Sequence, residues 1–223
     1  MKKVITLFYA ALLLPSFVFG TLPVGEKPPL VVLEGDRGER VNGGSWSSDE
    51  LVGAVHVLFY VDPDESDLNN AASDALKAEN FDKAQYRSVA IINMDATWLP
   101  NAVIQMRLES KQEEYPRTVY VRDNQKVLVE EWGLADDSSD IVLFDRDGTV
   151  LFSVDGQLTE VQIQELLGLI RERMKELVLG GWANPHRPAS EQVAFLESES
   201  FGAEFFLTQV VSHHSLHRVE AML

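Results

Sequence analysis

Apolar and polar positions change their spacing along this chain, and the changes mark its elements. Lys2 and Lys3 precede a stretch, 4–14, without a charge; Pro15 interrupts it, and Val18-Phe19-Gly20 stands before Thr21. That tripartite pattern predicts a secretory signal peptide cleaved after Gly20, a mature chain of 21–223 and a periplasmic location. The uncharged run is shorter than the roughly 20 residues a bilayer helix needs, and no later run reaches that length, so no membrane span is expected in the mature chain.

Further on, 30–33 and 40–41 flank Asp36-Arg37-Gly38, which reads as a hairpin. Ser47 and Glu50 are spaced as a capping box for a short helical turn. Residues 55–61 are β-branched and aromatic apart from His56, the pattern of a central strand covered on both faces, and Pro63 ends it. Residues 67–79 read as a helix with Leu68, Ala71, Ala72, Ala75 and Leu76 on one face. A second buried strand follows at 86–93. A weaker helix at 101–114 has Val103, Ile104, Met106 and Leu108 off any single stripe. Two strand–turn–strand units come next, 118–121 with 127–129 and 141–144 with 150–152. Thr159 and Gln162 open a last helix, where Ile163, Leu166, Leu167, Ile170, Met174, Leu177 and Val178 repeat at helical spacing and Gly180-Gly181 gives a stop. Strands alternating with helices before a hairpin and a final helix predict an α/β domain with a mixed sheet over 21–179. Gly180, Gly181, Pro185 and Pro188 mark a linker, so 180–223 is read as linker and C-terminal tail.

Composition removes whole classes of chemistry. The chain has 223 residues, 45% hydrophobic and 24% charged, with no cysteine, so disulfides, cysteine zinc sites, iron–sulfur clusters and thiol nucleophiles are all excluded. Nineteen Lys and Arg against 35 Asp and Glu give a net charge of -16, which would repel nucleic acid, and no nucleic-acid partner is expected.

Three segments together carry a resemblance. They are Val24-Gly25-Glu26-Lys27-Pro28-Pro29, then Leu51-Val52-Gly53 ahead of the strand and its helix, and Ile141-Val142-Leu143-Phe144-Asp145-Arg146-Asp147-Gly148-Thr149-Val150. This order resembles the TlpA and peroxiredoxin-like branch of the thioredoxin-like superfamily. More narrowly, 21–178 is similar to the YtfJ family of periplasmic thioredoxin-like proteins. Trp46 through Gly53, Leu108-Glu109-Ser110-Lys111 before Tyr115-Pro116, and Asp137-Ser138-Ser139 carry that match. The resemblance implies a three-layer α/β/α sandwich with a mixed central sheet and an N-terminal hairpin. Redox members place C-x-x-C at the start of the helix after the central strand, where the helix N-terminus stabilises a thiolate. Those positions fall near Asp64 and Asp67 here, and the usual cis-proline position falls near Ser139. Both requirements are missing, so thiol–disulfide oxidoreductase, isomerase and cysteine peroxidase activities are not carried over.

What replaces the thiols is acid. Asp62-Pro63-Asp64-Glu65-Ser66-Asp67 and the loop around Asp136-Asp137-Ser138-Ser139-Asp140 should crowd one edge of this fold. Repulsion there would be offset by a cation or a basic partner. The candidate binding edge is therefore Asp62, Asp64, Glu65, Ser66, Asp67, Asp137, Ser138 and Ser139. The plainer reading of 62–67 is capping, because Asp and Ser favour helix starts and acids gain about 0.3–1 kcal/mol each in a first turn. Oxygen ligation of Ca²⁺ or Mg²⁺ is the sharper one. Asp145-Arg146-Asp147-Gly148 reads as a tight turn, because the remaining ligands of a calcium loop are absent. His56 reads as structural, Trp98 and Trp132 as packing anchors. Ser66, Ser138 and Ser139 lack a histidine base, and His213, His214 and His217 form H-H-x-x-H in the tail. No catalytic residue, cofactor or metal is assigned. The expectation is an exported, redox-inactive protein that binds a periplasmic protein, peptide or small ligand at the former active-site edge. Its rival is a metal-dependent, cysteine-independent hydrolase on the same acids.

Overall fold

A computed structural model describes residues 20–182, with side chains through residue 175. The signal peptide with its cleavage site, and the tail with its histidines, lie outside the described residues.

The amino-terminal part forms an antiparallel ribbon, but not between the expected partners. β1 (Val32–Leu33) pairs with β3 (Trp46–Ser47), and β2 (Gly38–Arg40) leaves the ribbon to join the main sheet. Gly38 makes this possible. Its φ is +147°, and a Cβ there would lie 2.0 Å from the carbonyl oxygen of Arg122, so only glycine lets the backbones meet. The capping box is present: Ser47 accepts from the N–H of Asp49, and Glu50 accepts from the N–H of Ser47.

β4 (Val55–Val61) is the central strand, followed by α1 (Asn70–Glu79), β5 (Tyr86–Asn93), α2 (Asn101–Glu114) and β6 (Thr118–Asp123). Then come α3 (Val127–Trp132), β7 (Ser139–Phe144), β8 (Val150–Val154) and α4 (Glu160–Trp182). The sheet runs β2-β6-β5-β4-β7-β8, parallel across β6, β5 and β4 and antiparallel elsewhere. One face carries Leu58, Tyr60, Ile91, Val121, Val142 and Phe144 against Leu33, Trp46 and the Leu128 and Trp132 of α3. The other carries Phe59, Val61, Ala90, Ile92 and Tyr120 beneath α1 and α2. Arg171 of α4 forks onto Glu79 of α1, which puts α4 on that second face and completes the three layers.

Three local expectations change. Residues 127–129 form the first turn of α3, not a strand, because Asp123 accepts from the N–H groups of Val127 (2.9 Å) and Leu128 (3.0 Å) and so starts a helix. Gly180-Gly181 does not stop α4, which continues to Trp182; helical glycine costs only about 1 kcal/mol relative to alanine and does not itself break the ladder. Trp98 is 85% exposed and anchors nothing, whereas Trp132 is buried and donates from its ring nitrogen to the Pro29 carbonyl (2.8 Å).

Candidate functional site

The two acidic loops meet where β4 ends and β7 begins. Their register puts Val61 opposite Ser139, and one residue beyond it the N–H of Asp62 donates to the carbonyl of Ser138 (2.9 Å). Asp62 is buried, and its carboxylate accepts from the N–H of Asp64 (2.8 Å), capping the single helical turn Pro63–Glu65. Burial raises the Asp62 carboxyl above its ordinary range, and the nearby Asp64 and Asp137 charges push the same way. Asp64 accepts from the Thr97 hydroxyl (2.9 Å), and Asp67 from the Asn70 side-chain amide (3.0 Å). α1 starts at Asn70 and carries no acid in its first turn; Asp62 caps the short turn ahead of the helix, and Asp64 and Glu65 lie within that turn. Glu65 and Asp137 are exposed, and Ser138 donates to Asp155.

Ser139 is buried, and its Oγ accepts from the side-chain amide of Asn69 (3.1 Å). Asn69 is the node of this corner. The same Nδ2 reaches the carbonyls of Ser139 (3.2 Å) and Gly156 (3.0 Å), while Oδ1 accepts from the N–H of Leu158 (2.9 Å). It ties the turn after β4 to β7 and to the approach to α4. A second polar group joins buried Tyr60, Asn93 and Asp123 to half-buried Lys126 and Asp136. Tyr60 donates to Asp123 (3.2 Å), Asn93 donates to Asp136 (2.9 Å), and Lys126 pairs with Asp136 (2.7 Å). Burial and the Asp123 charge push the Tyr60 phenol up. Lys126 supplies from within the chain part of the positive charge that the crowded acids require. Asp140 is fully buried; its Oδ2 accepts from the N–H of Ala135 (3.2 Å), and its Oδ1 has no partner among the described residues. Burial first, and the Asp155 charge second, raise its carboxyl to about 8. Among the described residues, no three Asp, Glu or His side chains converge as a metal site requires. His56, which hydrogen-bonds through Nδ1 to the Ala54 carbonyl (2.9 Å), is held down by burial.

A feature the sequence did not predict opens beside this corner. Between α1 and α2, over β4, β5 and β6, lies a cleft of about 620 Å³, within the range of small-molecule sites. Phe59, Val61, Ala90, Ile92 and Tyr120 make its floor; Leu76 of α1 and Ile104 and Leu108 of α2 make its walls. Of the eight residues of the expected edge, Ser66, Asp67 and Ser139 line this cleft, and Asp62, Asp64, Glu65, Asp137 and Ser138 do not. The irregular stripe of α2 was the available signal. Val103 and Met106 point outward, and Met106 is 70% exposed, because only Ile104 and Leu108 are buried on this helix.

Similarity to known proteins agrees with this geometry. Among solved structures, a candidate protein disulfide isomerase from Bacteroides thetaiotaomicron matches with a TM-score of 0.55 at 16% identity, covering 73% of this chain and 98% of that one. A candidate DsbE-type thiol:disulfide interchange protein from Chlorobium tepidum matches with a TM-score of 0.50 at 18% identity, covering 68% and 98%. At such identities the likeness establishes a thioredoxin-like fold alone. By sequence, the uncharacterized Escherichia coli protein YtfJ is 29% identical over 186 residues, 78% of this chain and 99% of its own. An uncharacterized Haemophilus influenzae protein is 27% identical over 128 residues, 56% of this chain and 70% of its own. The family model described as a bacterial protein of unknown function, YtfJ_HI0045, matches residues 24–173. With more than half of its length under that match, and a mixed sheet layered as in thioredoxin-like proteins, the chain belongs to the YtfJ_HI0045 family.

Proposed function

We propose that this protein is exported to the periplasm and works there by binding, without redox chemistry, taking a small apolar ligand in the cleft beside the former active-site turn. The export half of this reading rests on the charge and apolar pattern of 1–20. The absence of any cysteine removes thiol exchange. The observation that carries the binding half is the cleft itself. It keeps an apolar floor of five sheet residues open between two helices, where an ordinary core would close. Ser66, Asp67 and Ser139 stand at its active-site end, so a scaffold that elsewhere presents sulfur here presents a cavity with hydroxyls and a carboxylate.

The test is a fluorescence titration of the mature protein with 1-N-phenylnaphthylamine, an uncharged apolar probe. Saturable binding is expected, weakened at least about tenfold by Ser73→Trp, which fills the cleft from α1 at a half-buried position. No binding, or binding indifferent to Ser73→Trp, would remove the cleft as the site. Insulin reduction and peroxide consumption should stay at the level of buffer.

A further inference from the structure

The charges lining the cleft have the opposite sign to the molecule. The whole chain carries -16, yet Lys77, Arg107, Lys111 and Arg117 border the cleft against two carboxylates, Asp67 and Glu114. Three of the four cations are engaged where the ends of α1 and α2 meet. Lys77 and Lys111 lie over the Tyr115 ring at 4.7 and 5.5 Å from its centre, and Lys111 pairs with Glu114 (3.6 Å). Arg117 donates to the Asn80 side chain (2.9 Å) and to the Phe81 carbonyl. Arg107 differs. It is exposed, it lines the cleft one turn from both Ile104 and Lys111, and among the described residues it has no ion pair or hydrogen bond.

We infer that the ligand is an amphipathic carboxylate, with its apolar body on the sheet floor and its anionic head at Arg107. This rests on the cleft being the binding site and adds the chemical class. An apolar body of medium-chain acyl size suits a floor of Phe59, Val61, Ala90, Ile92 and Tyr120, and a guanidinium with free donors suits a carboxylate because two parallel N–H groups can meet its two oxygens. A cationic amphiphile would face Arg107 and Lys111 as like charges. It would find Asp67 at the active-site end, and Glu114 already engaged by Lys111. The spacing on α2 is part of the argument. Ile104, Arg107, Leu108 and Lys111 recur at three- and four-residue intervals, so one helix face supplies both the apolar wall and the positive rim.

The experiment compares dodecanoate, dodecanol and dodecyltrimethylammonium, each below its aggregation threshold, as competitors of 1-N-phenylnaphthylamine on the mature protein. Dodecanoate should displace the probe at concentrations about tenfold lower than either of the others, and added salt should narrow that gap. Arg107→Gln should weaken dodecanoate about tenfold, Arg107→Glu more, and Arg107→Lys should restore part of the loss, with dodecanol unaffected throughout. Equal competition by all three compounds, or a dodecanoate affinity indifferent to Arg107→Glu, would overturn the carboxylate while leaving an apolar cleft in place. Loss of the probe's dependence on Ser73→Trp would overturn the cleft and the carboxylate together.

Discussion

Asp140 is a carboxyl group with no exposed surface, one oxygen unpartnered among the described residues and a like charge in Asp155 nearby. Burial holds the protonated form, so its folded pKa of about 8 lies well above the ordinary value of 3.8. The consequence for stability follows from proton counting. Below the unfolded pKa both states hold the proton and nothing is lost. Between the two values the unfolded chain releases the proton and the folded one keeps it, so stability falls as pH rises, and above the folded pKa the loss is complete. Each pH unit in that window is worth about 1.4 kcal/mol. Asp140→Asn removes the titration while keeping an oxygen to accept from the N–H of Ala135 and a donor in place of the acid proton. Urea unfolding of both proteins should give similar stabilities near pH 4, with the variant gaining about 2.7 kcal/mol on the parent between about pH 5 and about pH 7. Asp62, also raised by burial, and His56, held down by it, titrate in both proteins and cancel in the difference. Parallel stability curves would show that Asp140 ionises freely in the folded state, and the account of its burial would be wrong.

Other substitutions test the fold's fixed points. Gly38→Ala drives a Cβ into the Arg122 carbonyl and should cost about 2 kcal/mol, with hydrogen exchange rising first in 38–40 and not in β4. Asp123→Ala strips the acceptor from Val127, Leu128 and Tyr60 together, so urea unfolding should register a loss of about 3 kcal/mol. Asn69→Ala leaves the N–H of Leu158 without its partner and should cost about 2 kcal/mol, with faster amide exchange at Leu158.

How much of this could be read from the chain follows the range of the forces involved. Residues 55–61 apart from His56, 89–92 and 141–144 are apolar on both faces and announce strands, because burial on two sides writes itself into consecutive residues. The acidic edge was legible too, since helix-start chemistry is local, and the two loops do meet through Asp62 and Ser138. Non-local choices were not. Asp123 looks like a turn residue until its carboxylate is seen accepting from Tyr60 across the fold as well as from the N–H groups of Gln125, Val127 and Leu128, and the partner of β1 was decided by the approach of Gly38 to β6. Asn69 carried no pattern at all, and Asp140 read only as one more acid of its loop, because a buried polar residue is defined by what surrounds it. The cleft was half visible. A stripe mixing Ile104 and Leu108 with Arg107 and Lys111 reads as a poor helix when a sealed core is assumed, and becomes consistent once that face borders a cavity.

The two charged regions suit different ligands, and their separation favours the cleft. The acids of the edge are largely spoken for: Asp62 by the N–H of Asp64, Asp64 by Thr97, Asp67 by Asn70 and Asp136 by Lys126. Each of these bonds holds its carboxylate toward its own turn, and turning it toward a shared cation would break that orientation, so the net return on binding a cation there is small. Arg107 has no such debt, because its donors face water and the apolar floor beside it is already assembled. A thioredoxin-like fold concentrates its chemistry at the turn after the central strand, and here that turn is occupied by its own capping bonds. The unspent interaction capacity lies one helix face away, between α1 and α2.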